Sequence, residues 1–360
     1  MIDKNKITSG WIKEISEKNN KADILLIEKV IHALLLVEGL VKQNFDFILK
    51  GGTSLMLILG STKRFSIDID IIMQNHSDNL LDMLNKLVTD VGFNRVEQQN
   101  RGKASNIDKE HYKFFYNSHL TTNEREDYVL LDIIYEDYSY SFVNEYPIES
   151  KFAPSSGSPI KVKIPSPEDL LGDKLTAFAP NTIGIPYFKG DKDMSMEIVK
   201  QLFDIGNLFD LSKDLKTIKS TFEKISEKEI LYRKQNLLSI EDILDDIFQT
   251  ALCLSTKGKD GKGDFLSLQS GINRIRSFIF SEKYYIDKAI ISSSKTAYLS
   301  VLLQSDDYEI EKYPGALRMD KMIIDKPLNS KLNKYEKNNP EAFFYWYKIY
   351  ELMTKNQNND

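Results

Sequence analysis

Cysteine is almost absent from this chain. Cys253 stands alone, which excludes an internal disulfide framework and a zinc site built on thiolates. Histidine is nearly as scarce, and His32, His76, His111 and His119 are scattered without metal-ligand spacing, so a histidine-based site is not expected. No apolar run approaches the roughly 20 residues that span a bilayer, and no membrane partner is expected. The opening stretch MIDKNKITSGWIKEI lacks the apolar centre and small-residue cleavage site of a signal peptide, which makes a cytoplasmic, reducing location the expectation. Excess positive charge is missing too. The net charge is −5, so any nucleic-acid contact must come from a local patch.

What is present is the composition of an ordinary soluble protein, 41% hydrophobic and 28% charged. The length allows a large core and two domains. Helical periodicity is expected over residues 22–43, with Leu26, Val30, Ala33, Leu34 and Val37 on one stripe, and again over 53–59 and 79–91. Strand-like patterns fall at 45–49, 67–73, 111–116, 128–135 and 161–164. This interleaving predicts an α+β domain with a mixed sheet over residues 1–165. From Ser166-Pro167-Glu168-Asp169, a well-signalled helix start, residues 166–360 read as mainly helical, with stretches at 195–211, 239–254, 266–281, 284–303 and 341–353. The glycine- and lysine-rich segment 255–264 reads as a flexible loop. Its Lys257, Lys259 and Lys262 could meet an RNA backbone, but Asp260 and Asp264 dilute that charge and favour a solvated loop. Only the last residues, KNQNND, look disordered.

The densest signal lies at residues 47–73, FILKGGTSLMLILGSTKRFSIDIDIIM. A short apolar run stops at Gly51-Gly52-Thr53-Ser54, where a helix begins. Backbone N–H groups at such a start can hold an anion, and glycine lets a phosphate approach closely. A plain tight turn gives the same sequence, and the spacing of a Walker P-loop is absent. Farther on, Asp68 and Asp70 alternate with Ile67, Ile69 and Ile71, so both carboxylates share one strand face. A hard divalent cation, above all Mg²⁺, suits such a pair. Each motif alone is weak; joined in one strand–helix–strand unit they are specific. An acid within an otherwise apolar strand is costly unless paired or metal-bound. Asp132 is flanked by apolar residues on both sides, unlike Asp127, Glu136 or Asp137.

KGGTSL followed by RFSIDID resembles the signature of nucleotidyltransferases related to DNA polymerase β, and more narrowly of the AbiEii/AbiGii toxin family of bacterial abortive-infection and toxin–antitoxin systems. The resemblance implies a polymerase β-like nucleotidyltransferase domain, with a mainly helical region contributing to the cleft and the acceptor site. It implies that Gly51, Gly52, Thr53 and Ser54 hold a nucleoside triphosphate, that Arg64 and Ser66 shape the pocket, and that Asp68, Asp70 and Asp132 bind two Mg²⁺ ions, with Mn²⁺ as an alternative. A solvated Lys63-Arg64 turn is the bland alternative for Arg64. PSPEDLLGDKLTAF resembles the family's Asp-Lys helix, in which Lys174 contacts the triphosphate. By helical period Lys174 emerges within an apolar stripe with Leu170 and Phe178, where snorkelling is the other reading. The family's Arg-Asp-Leu-Tyr-Asp motif is matched only at Asp204; Phe203 and Asn207 depart from it, and Lys200 with Asp204 could be an ordinary i,i+4 ion pair.

The expected activity is transfer of a nucleotide from an NTP to an acceptor hydroxyl with release of pyrophosphate. The resemblance makes RNA, particularly a tRNA 3′ end, the leading acceptor, and implies toxicity and a separately encoded antitoxin protein. A small-molecule acceptor such as an aminoglycoside would instead predict no dependence on RNA. A nucleotide- or protein-binding module that has lost catalysis would bind NTP without releasing pyrophosphate. An Asp-x-Asp glycosyltransferase is disfavoured by the glycine turn just before the strand.

Overall fold

The computed structural model describes residues 1–59, 63–99, 108–120, 126–304, 309–315, 319 and 322–357. The chain divides into two compact units, Met1–Ser166 with Ser277–Lys283, and Pro167–Arg276 with Tyr284–Asp360. The short return of Ser277–Lys283 to the first unit is not visible as a break in the sequence pattern.

The first unit is a mixed α/β structure. Helix α1 (Ser9–Lys18) and helix α2 (Ile24–Lys42) open it. Asp23 starts α2 by accepting from the N–H groups of Leu25 and Leu26, a cap worth about 1 kcal/mol. Strand β1 (Ile48–Lys50), helix α3 (Gly51–Ile58), strand β2 (Asp68–Met73), helix α4 (Leu80–Val91), and strands β3 (Arg95–Gln98), β4 (Lys109–Asn117) and β5 (Glu126–Tyr135) follow. They build a five-stranded sheet in the order β1-β2-β5-β4-β3. Only β2 and β5 pair in parallel; the other neighbours are antiparallel. On one face Ile69, Ile71, Val129, Leu131, Ile133, Tyr112, Phe114 and Tyr116 are buried, and α2 packs against β2 and β5. A hairpin of β6 (Val143–Pro147) and β7 (Lys161–Pro165) completes the unit.

The second unit holds helix α5 (Pro167–Ala177), a minimal hairpin of β8 (Phe188–Lys189) and β9 (Lys192–Asp193), and helices α6 (Ser195–Leu211), α7 (Leu215–Arg233), α8 (Ile240–Thr256), α9 (Phe265–Ile275), α10 (Ile286–Leu302), α11 (Tyr335–Asn338) and α12 (Pro340–Gln357). The sequence pattern missed α7 because its buried face mixes Ile218 and Phe222 with Thr217, Thr221 and Ser226, which breaks the apolar period. Segment 266–281 does not continue as one helix. It ends at Ile275, after which the chain enters the first unit. The lysine-rich loop is held down rather than loose. Thr256 Oγ1 donates to the Asp260 carbonyl at 2.9 Å, and Asn329 Nδ2 donates to Asp260 Oδ2 at 3.0 Å. Of the residues expected to be disordered, the last three lie outside the described residues and the others continue α12. Among the described residues, no helix is long and apolar enough to cross a membrane.

Candidate active site

Pairing between strands assembles a polar row on the sheet face opposite α2. Lys50 on β1 stands in register with Asp70 on β2, Asp70 with Asp132 on β5, and Asp132 with His111 on β4. Register partners project from the same face, with neighbouring strands about 4.8 Å apart. Asp68 lies two residues before Asp70 and shares that face. Asp132 is thus singled out by position. Asp127 instead sits near the start of β5 and forms an ion pair with Lys29 at 2.8 Å.

His111 was not foreseen in this role. Its Nδ1 lies 2.7 Å from Asp132 Oδ1, and the two side chains are 18% and 27% exposed. The imidazole therefore orients the central carboxylate while both stay within reach of solvent. Alternation could have put His111 on a face, but register with Asp132 is not written locally in either strand.

The glycine pair closes directly onto this row. Gly51 has φ of +73°, and a Cβ there would overlap Asp70 Oδ2. That combination of left-handed backbone and close approach requires glycine. A Cβ on Gly52 would lie 2.5 Å from Ser66 Oγ and 2.8 Å from Arg64 Nη2. The turn, Asp70, Ser66 and Arg64 therefore form one contiguous surface at the N-terminus of α3. Thr53 and Ser54 are fully buried. Thr53 Oγ1 donates to the Asp68 carbonyl at 2.7 Å and Ser54 Oγ to the Gly51 carbonyl at 2.8 Å. The Thr53 hydroxyl fastens the turn to the aspartate strand, and that of Ser54 closes the turn on itself.

Arg64 is not on a solvated turn; it is 8% exposed. Its Nη1 donates to the Phe65 carbonyl at 3.0 Å. The returning segment Ser277–Lys283 pins this stretch. Phe65 N–H donates to the Phe278 carbonyl at 2.8 Å, Ser281 Oγ donates to the Lys63 carbonyl at 2.7 Å, and Arg64 bridges to Ile279. Phe280 packs on Phe65 and Phe152, with ring centres 4.6 and 4.7 Å apart. A piece of chain distant in sequence thereby fixes Arg64 and Ser66 beside Gly52.

In the second unit, α5 and α6 bring Lys174 and Asp204 together. Lys174 Nζ lies 3.0 Å from Asp204 Oδ2 and donates to Gln201 Oε1 at 3.0 Å. Both residues are buried, at 7% and 2% exposure. Asp204 is thus not on a polar helix face, and Lys200 reaches Glu197 at 3.1 Å.

The expectation that the histidines stay apart needs correction. Glu28 and His32 on α2, with His119 just beyond β4, present ligand atoms within 4.8 Å of one another. Folding joins what sequence spacing kept separate. Burial, and then the nearby His119, push the pKa of His32 down to about 3.

The sheet face thus offers three carboxylates beside a glycine turn that faces a guanidinium and a hydroxyl. Hard oxygen donors of this kind suit Mg²⁺, and the helix start with Arg64 suits phosphate oxygens. Residues 35–265 match the family model described as nucleotidyl transferase AbiEii toxin, Type IV TA system. No curated protein matches the chain. Among solved structures, JHP933 from Helicobacter pylori is similar at 17% identity and a TM-score of 0.43, with 77% of this chain and 92% of that one covered. An antigenic nucleotidyltransferase-like protein from Paracoccidioides brasiliensis is similar at 15% identity and a TM-score of 0.35, covering 56% and 88% respectively.

Proposed function

This chain belongs to the AbiEii nucleotidyl transferase toxin family, and from that premise we propose that it moves a nucleoside monophosphate from an NTP to the 3′ end of an RNA, tRNA foremost, with growth arrest as the result. The observation that supports the reading is the register of Asp70 with Asp132, closed off by Gly51. Asp68, Asp70 and Asp132 would hold Mg²⁺, with Mn²⁺ as an alternative; when bound, the ions neutralise phosphate charge and polarise the reacting phosphoryl group. The N–H groups of the Gly51-Gly52 turn receive phosphate oxygens, and Arg64 pairs with a further one. Asp132 accepts the proton of the acceptor hydroxyl, and His111 holds that carboxylate in orientation. Lys174 and Asp204 belong to the same proposal as nucleotide-binding residues through the family motif, and Lys174→Met should raise the KM for NTP. The Type IV designation supports a separately encoded antitoxin protein as partner, and the reading places both in the cytoplasm.

The test is incubation of the protein with each α-labelled NTP, Mg²⁺ and total RNA, beside Asp68→Ala. Label should enter RNA with the wild type only. Failure of label to reach RNA, with transfer to an added small-molecule alcohol instead, would overturn the RNA assignment. NTP binding without pyrophosphate release on any acceptor would overturn catalysis. Growth arrest on expression should vanish in Asp70→Ala; persistence would separate toxicity from nucleotidyl transfer.

A further inference from the structure

The sheet carries a second polar cluster on its opposite face. Along β4, residues alternate sides, so His111 faces the carboxylate row while Tyr116 faces α2. His32 of α2 stacks on Tyr116 with ring centres 3.6 Å apart. Glu28 lies one helical turn before His32, so both point the same way. Glu28 and His32 are buried, at 1% and 6% exposure, whereas His119 is exposed.

Two features of this cluster call for a ligand. Among the described residues, His32 Nε2 has no hydrogen-bond partner despite its burial. An orphaned buried nitrogen destabilises the fold, and an apolar residue at this position would avoid that cost. Glu28 is a buried acid whose carboxylate accepts from Ser118 Oγ at 2.7 Å and from the His119 N–H at 2.6 Å. A carboxylate offers about four lone-pair sites, so these two bonds leave capacity for a cation.

We propose that Glu28, His32 and His119 bind a zinc ion that ties helix α2 to the segment following β4. Two imidazole nitrogens and one carboxylate oxygen form a borderline donor set that suits Zn²⁺ rather than Mg²⁺. Zn–N bonds of 2.0–2.1 Å put ligating imidazole centres roughly 5 Å apart. The His32 and His119 rings are 6.3 Å apart, and the exposed His119 can rotate to close the difference. Glu28 is already oriented by Ser118 and His119 N–H, as outer hydrogen bonds orient ligands in established zinc sites. The exposed side of His119 leaves the fourth position to water.

This inference stands apart from nucleotidyl transfer, since the cluster and the carboxylate row occupy opposite faces of the sheet. Its test uses zinc alone. The purified chain is loaded with ZnCl₂, passed through gel filtration and analysed for metal. The wild type should retain about one equivalent, and zinc should raise its melting temperature by several degrees. His119→Ala, an exposed substitution, should retain background zinc and lose the thermal shift while melting normally without metal. The double variant Asp68→Asn/Asp70→Asn should retain zinc as the wild type does. Equal retention in His119→Ala, loss of zinc in the double aspartate variant, or no zinc in the wild type would each overturn the proposal.

Discussion

The carboxylate row of the first unit and the Lys174–Asp204 pair of the second handle charge in opposite ways. Asp132 keeps 27% of its side chain exposed beside His111, in a row that gathers three acids on one face. The side chains of Lys174 and Asp204 are 9% and 3% exposed and neutralise each other at 3.0 Å. A partly accessible row of acids gains from an outside cation. A buried opposite pair completes itself, and removing one member strands the other. On the proposed reading the first arrangement awaits a cation and substrate, whereas the second holds two helices together whether or not nucleotide is bound.

The largest effect is expected at Asp70. Asp70→Asn should lower kcat about 10³-fold or more, since several kcal/mol of charge stabilisation depend on it, while denaturant midpoints stay near wild type. A large stability loss with activity retained would reverse the roles assigned to the two regions. Next comes Asp204→Ala, expected to destabilise by about 3–5 kcal/mol because it leaves Lys174 buried and unneutralised. Replacing both, as Lys174→Met with Asp204→Leu, should recover most of that stability in urea unfolding. If the double variant folds but its KM for NTP rises, Lys174 serves the nucleotide as well as the core.

Gly51→Ala should produce a smaller, mixed effect. The left-handed φ costs about 1–2 kcal/mol for a residue with a Cβ, and the displaced Asp70 should lower kcat by roughly tenfold to a hundredfold (about 1.4 kcal/mol per factor of ten). Wild-type turnover in Gly51→Ala would show that the turn does not set the position of Asp70. The smallest effect concerns Lys312, which donates to the Phe209 carbonyl and lies 3.7 Å over the Phe209 ring. Burial pushes its pKa down to about 8, with Lys295 adding to the shift and Asp210 and Glu168 opposing it. Between pH 8 and the ordinary lysine value, the unfolded chain holds a proton that the folded chain has released. Stability from this group therefore rises with pH across that window. Urea unfolding at pH 8 and pH 10 should show a smaller increase in Lys312→Met than in the wild type.

Much of the candidate site was legible because its signals are local. The alternation of Asp68 and Asp70 with isoleucines fixed their common face, and the glycine pair marked the start of α3. Asp132 stood out by being an acid in an apolar strand. Lys174 emerged within an apolar stripe, but its partners, Asp204 and Gln201, lie on another helix. His111 passed unnoticed because its importance comes from register with Asp132. His32 and His119 were read as scattered, and Glu28 was not singled out, since helix α2 and the end of β4 meet only when the helix packs on the sheet. Helix α7 hid behind its threonines and serine, which pack inward where an amphipathic helix ordinarily presents apolar residues.

The sequence by itself determined many of the elements, the face shared by Asp68 and Asp70, the glycine turn and the family that the turn and strand resemble. Only the tertiary structure decided that Asp70 stands opposite Asp132, that His111 holds Asp132, and that Ser277–Lys283 returns to brace Arg64. It alone brought two histidines and a glutamate together. The reason is physical. Face and turn follow from dihedral preferences that act over a few residues. Register and remote contacts are fixed only when many side chains bury together, a sum that no short segment contains.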